Sequence, residues 1–198
     1  MRNTFDKLGL PSEFEETLHH IPQGTRGSEF VCKGYDCYCS EYDTSAARQR
    51  GKNGRVLEGL VLKALYDSGI HPIYYQAKVA NIPHVIYDIL LYHSKRPVVL
   101  SCKVSLRERW KQADLEGSAL KQVYRGASSY LITLSAGEGN RVQQSISDSE
   151  VLGLDECIVI RSQGDRFDNL IQELKCKQFV ESSPVLPVTG KIISAIES

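Results

Sequence analysis

Apolar residues recur at helical spacing in the segment that begins at Gly54, GRVLEGLVLKALYDSGI. A single stripe would carry six of them: Val56, Leu57, Leu60, Val61, Ala64 and Leu65. Positions three and four residues apart lie on the same side of an α-helix, and a glycine commonly follows the last turn. The pattern therefore predicts a helix from Gly54 that stops at Gly69.

Short runs rich in β-branched and aromatic residues follow this helix, in IYYQAKVA, HVIYDILLYH and PVVLSCKVS. The turn sequences NIP and SKRP separate them, which predicts three consecutive strands joined as hairpins. A long helix is predicted next in RERWKQADLEGSALKQVYRG, then strands in SSYLITLS and ECIVI, with further helices at NRVQQSISD and FDNLIQELK. This order predicts an α/β fold in which helices flank a mixed central β-sheet.

The length of 198 residues is that of one domain. Residues 46–180 contain the periodic segments and are expected to form its core. Residues 1–45 show no sustained periodicity, so they are predicted to wrap irregularly around the core, with one short helix in PSEFEETLHHI. Residues 181–198 are predicted to be a C-terminal tail.

Charge adds local information to this picture. The 24 Lys and Arg residues balance 24 Asp and Glu residues, so the total charge does not indicate a nucleic-acid partner. Basic residues are nevertheless concentrated in ARQRGKNGR, at Arg48, Arg50, Lys52 and Arg55. We expect this segment to be a flexible loop that contacts phosphates, although a solvated loop would have the same composition.

A carboxylate and an ammonium group are predicted to meet on neighbouring strands. Asp88 interrupts the apolar run HVIYDILLYH, and such a residue is costly to bury unless it is paired or binds a metal. Side chains alternate along PVVLSCKVS, so Lys103 and Cys102 point to opposite faces of the sheet. Glu58 and Glu116, on the two flanking helices, could reach the same place. A structural ion pair of Asp88 with Lys103 is the simpler interpretation; a metal-dependent phosphodiesterase site is the other.

These residues resemble a known motif. An aspartate on one strand followed by an acidic-x-lysine on the next is similar to the PD-(D/E)xK nucleases, here with Tyr87 in place of the proline and Ser101 in place of the second acid. Ser-x-Lys with a glutamate thirteen residues later, at Glu116, resembles the CCGG-type branch of type II restriction endonucleases. The resemblance implies a restriction-endonuclease-like core in which Asp88 and Glu116 bind the metal.

The triplet Arg107, Glu108 and Arg109 strengthens this resemblance, because it is most similar to the base-reading residues of EcoRII-like enzymes. Arginine bonds guanine O6 and N7, and glutamate accepts from cytosine N4, so the triplet suits adjacent C·G pairs in the major groove. An exposed, charged first helical turn is the alternative interpretation. The resemblance implies a CC/GG-containing site such as CCNGG or CCWGG.

The resemblance also implies a cofactor, an oligomeric state and partners. It implies a Mg²⁺-dependent enzyme in which Mn²⁺ substitutes, Lys103 positions the attacking water, and Glu58 assists the site. A palindromic site implies a homodimer on double-stranded DNA, and host protection implies a partner methyltransferase. A structure-specific repair or junction nuclease and a non-catalytic DNA-binding module remain alternatives.

The six cysteines give a weaker signal. Cys32, Cys37 and Cys39 could hold a structural zinc ion, but C-x4-C-x-C is not an established zinc spacing, and free thiols are favoured. No secretory signal and no membrane-length apolar run are present in this sequence, which predicts a cytoplasmic protein without membrane contact. The resemblance to restriction endonucleases implies that the cytoplasm is that of a prokaryote.

Overall fold

A computed structural model of the chain describes residues 5–46, 49–182 and 188–194. A short 3-10 helix, Asp6–Leu8, precedes six α-helices and six strands in these ranges. In chain order they are α1 Ser12–His20, α2 Gly27–Glu41, α3 Arg50–Asp67, β1 Ile73–Val79, β2 Tyr87–Leu91, β3 Val98–Lys103, α4 Arg109–Val123, β4 Ser128–Thr133, α5 Ala136–Ser147, β5 Glu156–Val159, α6 Gly164–Lys175 and β6 Val188–Ile193.

The strands form one mixed sheet in the order β5-β4-β3-β2-β1-β6. β1 and β2 pair antiparallel, as do β2 and β3, and β1 and β6. β3 pairs parallel with β4, and β4 parallel with β5. Parallel neighbours require a crossover connection, which α4 and α5 provide. The predicted α/β fold with a mixed, helix-flanked sheet is confirmed.

Alternating side chains give the central strand β3 two different faces. Val98, Leu100 and Cys102 are buried in the main core with residues of α2, α3 and α6. Val99 packs on the other face, in a cluster with Leu120 of α4. Cys102 therefore points into the core as predicted, and Lys103, the last residue of β3, lies on the opposite face.

The predicted irregular N-terminal segment is wrong, because α2 occupies most of its second half. Phe30, Val31, Tyr35 and Tyr38 are all buried and follow helical spacing. The helix packs closely on α3 at Gly34, where a Cβ atom would come within 2.6 Å of Leu60. Tyrosine and cysteine are poor helix formers, so tertiary packing rather than local propensity stabilises this helix.

Two further boundaries differ from the predictions. α3 begins at Arg50, so most of the predicted basic loop forms the first turns of this helix. The predicted C-terminal tail contains β6, an edge strand paired with β1. β6 has only its two end residues, Val188 and Ile193, buried, so the alternating pattern typical of a strand is missing. Across the described ranges, no helix is both long and apolar enough to cross a membrane.

Candidate active site

Asp88 and Lys103 meet on β2 and β3, the two middle strands of the sheet, at the carboxyl end of β3. The antiparallel register that pairs Ile89 with Leu100 sets Asp88 beside Ser101, two residues before Lys103 on the same face. Lys103 Nζ donates to Asp88 Oδ2 at 2.6 Å, and the backbone N–H of Cys102 donates to the same oxygen at 2.9 Å. Both side chains are largely buried, at 12 % and 15 % exposed. The predicted pair is present.

Glu58 reaches this site from α3, where its side chain is buried. Its Oε2 accepts hydrogen bonds from Tyr75 Oη and Gln76 Nε2, each at 2.9 Å. Gln76 has a positive φ of 49° and lies where the pairing of β1 with β6 shifts register. Bulges of this kind redirect side chains, and here the amide meets the Glu58 carboxylate.

Glu116 approaches the site from α4 and is also buried. Its Oε1 accepts a hydrogen bond from Gln112 Nε2 at 2.7 Å, one helical turn earlier. Its backbone carbonyl accepts from Tyr87 Oη at 3.1 Å. Tyr87 stands where the nuclease motif has proline, so in this chain that position ties β2 to the helix that carries Glu116.

The three carboxylates and the ammonium group share one electrostatic environment. Burial, and then the charge of Asp88, raise the pKa of Glu58 to about 7, although Tyr75 and Lys103 oppose the rise. Burial also raises the pKa of Glu116; the bond from Gln112 lowers it, and the charge of Asp88 raises it further. Three acidic side chains thus interact with one another and with a single ammonium group, and their mutual repulsion and burial disfavour full ionisation of Glu58 and Glu116.

Lys103 remains a cation in this environment. Burial by itself lowers the pKa of its ammonium group, but the charge of Asp88 and the hydrogen bond to it more than compensate, so the net shift is upward. An ammonium group held in this way can donate hydrogen bonds to an incoming anion or water molecule. Because its pKa is raised rather than lowered, Lys103 is not a general base at neutral pH.

Two open clefts lie at or beside the site of Glu58 and Lys103. One has a volume of about 250 Å³ and is lined by Glu58 and Lys103 together with Arg50, Gly54 and Gln112. A larger cleft of about 620 Å³ lies between α2, α3 and the connection from β3 to α4. Arg50, Val104 and Arg109 line both clefts, so the carboxylate site opens toward the predicted base-reading triplet.

Arg107, Glu108 and Arg109 are all exposed. Arg107 has a positive φ of 37°, and Arg109 begins α4. Glu108 forms an ion pair with Lys111 on the same turn. The triplet thus lies on a tight connection that leads directly from Lys103 into the helix of Glu116. Its role in reading bases stays a prediction.

The basic residues of the predicted loop differ in their exposure and in their contacts. Arg50 is exposed and lines both clefts. Lys52 forms an ion pair with Glu13 of α1. Arg55 donates to the backbone carbonyl of Gly9. Arg48 lies outside the described residues.

Cys32, Cys37 and Cys39 all lie on α2. At about 100° per residue, Cys37 projects about 140° away from Cys32, so the three thiols do not converge. Within residues 5–46, 49–182 and 188–194, no group of three or more His, Cys, Asp or Glu side chains is arranged to hold a metal ion. A zinc site at these cysteines is not supported.

Sequence reasoning missed four side chains that support this site. Gln112 is four residues before Glu116, a spacing at which helical side chains meet, and the predicted helix contained that signal. Glu138, which contacts the triplet's backbone, follows Ser135 in a Ser-x-x-Glu pattern that usually indicates a helix start. Tyr75 and Gln76 gave no signal beyond being polar positions in a strand.

No family model and no curated protein sequence matches this chain. Among solved structures, a complex of the restriction endonuclease PspGI with its substrate DNA is similar, with a TM-score of 0.61. The match covers 89 % of this chain and 97 % of that chain, at 12 % sequence identity. The chain has a restriction-endonuclease-like fold. At this level of identity the likeness is one of fold.

Proposed function

We propose that this protein is a DNA endonuclease that hydrolyses phosphodiester bonds, of the type II restriction class. The observation that carries the proposal is the pairing of Lys103 with Asp88 on the two central strands, with the buried carboxylates of Glu58 and Glu116 near enough to interact with both charges. A structural ion pair alone needs no further buried carboxylates. Two more are present, although burial disfavours their charged forms.

The residues present suit a divalent cation. Mg²⁺ is usually held by one or two carboxylates and completes its shell with water and substrate phosphate, so a cage of three protein ligands is not required. Asp88 and Glu116 would hold the ion, and Mn²⁺ would substitute for it. When bound, the ion neutralises charge on the phosphate and lowers the pKa of a water molecule.

The protein's own groups have separate tasks in this proposal. Lys103 orients the attacking water and offers positive charge to the phosphate that is being cleaved. Glu58, fixed through Oε2 by Tyr75 and Gln76, can accept hydrogen bonds at its other oxygen. Gln112 fixes Glu116 in the same manner. Each acid is thus oriented before DNA arrives, which reduces the reorganisation needed for reaction.

Recognition is proposed to lie in Arg107, Glu108 and Arg109, with a CC/GG-containing target such as CCNGG or CCWGG. What supports this is their exposure and their position at the cleft next to Lys103. Among the described residues of the basic segment, Arg50 is the best placed to contact the DNA backbone, because it lines both clefts. Lys52 and Arg55 are proposed to contribute less, since each already has a protein partner.

The biological setting belongs to the same proposal. A single nuclease domain that cuts both strands of a near-palindromic site would act as a homodimer, with one active site per strand. A methyltransferase of the same specificity would protect the host DNA. The enzyme would work in the cytoplasm of a prokaryote.

Digestion of phage or plasmid DNA with Mg²⁺, followed by sequencing of the fragment ends, tests this function. Discrete fragments that share one sequence at their ends are expected, and a chelator should stop the cleavage. The variant Lys103→Met is the control for a contaminating nuclease. Cuts confined to branched or damaged DNA would instead indicate a repair or junction nuclease, and tight binding without cuts would indicate a binding module.

A further inference from the structure

One carboxylate outside the catalytic cluster contacts the connection that carries the triplet. Glu138 Oε2 accepts the backbone N–H of Leu106 at 2.8 Å, and Glu138 Oε1 accepts that of Arg107 at 3.0 Å. Leu106 itself is buried and packs with Ala113 and Leu131. The two bonds therefore fix the backbone at the point where the chain turns outward.

The strand register explains why this contact forms. β3 and β4 are parallel, and Lys103 pairs with Thr133 at their carboxyl ends. The chain leaves both strands at the same edge, so the connection after Lys103 runs beside the start of α5, where Glu138 lies in the first turn. Glu138 thus reaches residues that are about 30 positions away in sequence.

Glu138 does not accept the backbone hydrogen bond of a capping box, although its Ser-x-x-Glu pattern suggests that it would. In a capping box, the glutamate three residues after the N-cap accepts the backbone N–H of the N-cap residue. Here the N–H of Ser135 instead donates to Thr133 Oγ1 at 3.2 Å. The carboxylate is turned toward the other connection. The N–H groups of Leu106 and then of Arg107 lower its pKa, so it is ionised at neutral pH.

The held conformation is one that an arginine seldom adopts. Arg107 has a φ of 37°, in the left-handed region, and such a residue costs on the order of 1–3 kcal/mol unless its surroundings impose the conformation. Glu138 supplies that constraint through the N–H of the same residue. The N–H of Arg109 closes the turn by donating to the Leu106 carbonyl at 2.5 Å.

We propose that Glu138 is a positioning residue for sequence recognition: its two backbone hydrogen bonds hold Leu106 and Arg107 so that the triplet is presented in a fixed geometry beside Lys103. This inference rests on the proposed function. Glu138 touches neither the bases nor the reacting phosphate in this proposal. It acts by reducing the ordering that the connection must undergo when DNA binds.

Glu138→Gln is the informative change, because a glutamine has one acceptor oxygen and one donor nitrogen. It can keep one of the two bonds and places a donor against the other N–H. Glu138→Asp keeps both acceptor oxygens on a shorter side chain and should recover part of the function. Glu150→Gln removes the same charge at an exposed site beyond the other end of α5 and serves as the matched control.

Affinity for a duplex containing the cleaved sequence and for an unrelated duplex would be measured with Ca²⁺ in place of Mg²⁺, and KM and kcat with Mg²⁺. We expect Glu138→Gln to weaken specific binding and raise KM by about 10-fold, the size of one well-made base contact. Non-specific binding, kcat at saturating DNA and the behaviour of Glu150→Gln should match the wild type.

Three results would overturn the inference. Unchanged discrimination by Glu138→Gln, in a wild type that cleaves at one sequence, removes Glu138 from recognition and leaves the proposed function standing. Equal losses of specific and non-specific binding, with a lowered melting temperature, would mean a general structural role. A wild type that cleaves no DNA overturns the proposed function and this inference together.

Discussion

Lys103 donates to Asp88 Oδ2, and the same oxygen accepts the backbone N–H of Cys102. One carboxylate oxygen thus takes both bonds from adjacent residues of β3. The arrangement orients Asp88 while its charge keeps Lys103 protonated against the effect of burial. Lys103 would orient Asp88 before a metal binds and interact with the substrate afterwards.

Lys103→Met should abolish DNA cleavage, by at least about 100-fold, because it removes the group that orients water and offers charge to the phosphate. Sequence-specific binding should persist, since the exposed triplet follows Lys103 in the chain and no hydrogen bond or ion pair of the Lys103 side chain holds it in place. Cleavage of an end-labelled duplex and gel-shift binding of the same duplex measure the two effects. A variant that still cuts would leave the pair of Asp88 and Lys103 with a structural role.

Glu116→Gln should likewise remove cleavage while leaving binding, but for a different reason. Glutamine keeps the size of the buried side chain and can still pair with Gln112, yet it cannot supply a negative ligand for Mg²⁺. Partial recovery at high Mn²⁺ concentration is expected if metal affinity is what was lost. Gln122→Glu, on an exposed face near the end of α4, controls for a change of charge on this helix.

The outcome for Asp88, Lys103, Glu58 and Glu116 shows which features of the site could be predicted from the sequence. The apolar run around Asp88 placed it on the strand next to Lys103, strand alternation turned Lys103 away from the core, and helical spacing placed the two glutamates on the flanking helices. The supporting contacts from Gln76 and Glu138 could not be predicted in this way. The contact of Gln76 depends on a bulge in β1, and that of Glu138 depends on two connections that meet at the edge of the sheet. Neither feature produces a periodic pattern in the nearby sequence.

The errors in the fold have a similar physical origin. α2 was missed because its buried tyrosines alternate with cysteines and glycine, whose propensities favour no element, and its packing on α3 decides the structure. β6 was missed because its stability comes from backbone pairing with β1 rather than from a buried face. Both elements owe their structure to distant parts of the chain.

The raised pKa of Glu58 predicts a pH-dependent stability. The folded state keeps a proton on Glu58 up to about pH 7, whereas the usual value for glutamate is 4.5. Between these values the folded state binds more protons than the unfolded chain, so this group's contribution to stability falls as the pH rises. Glu58→Gln, which does not ionise, should gain stability relative to wild type across that interval, by up to about 3 kcal/mol.

Urea denaturation of metal-free protein at pH 5 and pH 8 measures this effect of Glu58. The difference in unfolding free energy between Glu58→Gln and wild type should be larger at pH 8. Glu150→Gln, which alters an exposed carboxylate, should show no such trend. If the difference in unfolding free energy were equal at both pH values, the folded state would not raise the pKa of Glu58.

The settings of Arg50 and Lys52 predict different effects on DNA binding. Arg50→Gln should reduce the slope of log affinity against log salt concentration by about 0.9, the loss of one phosphate contact. Lys52→Gln should change that slope less, because Lys52 is paired with Glu13; it should instead lower stability at neutral pH by about 1 kcal/mol or less. Binding titrations at several salt concentrations and thermal melts separate the two, and equal slope changes would contradict the distinction.

Arg109 provides the most direct test of recognition, because of the three triplet residues it alone lines both the larger cleft and the cleft that contains Lys103. Arg109→Ala should weaken binding to the cleaved sequence by about 1–3 kcal/mol, the range for a lost bidentate contact to guanine. Binding to unrelated DNA should change little. Arg125→Ala, an exposed arginine just beyond the end of α4, removes the same charge away from the triplet.

Substituted duplexes extend the Arg109 test to individual bases. If Arg109 bonds one guanine, replacing that base should weaken binding of the wild type by about 1–3 kcal/mol. The same replacement should hardly weaken binding of Arg109→Ala, because the contact is already absent. Equal penalties in both proteins at every position would mean that Arg109 contributes only charge. A reduced penalty at one position would assign that base to Arg109, and the neighbouring positions could then be tested with Glu108→Gln and Arg107→Ala.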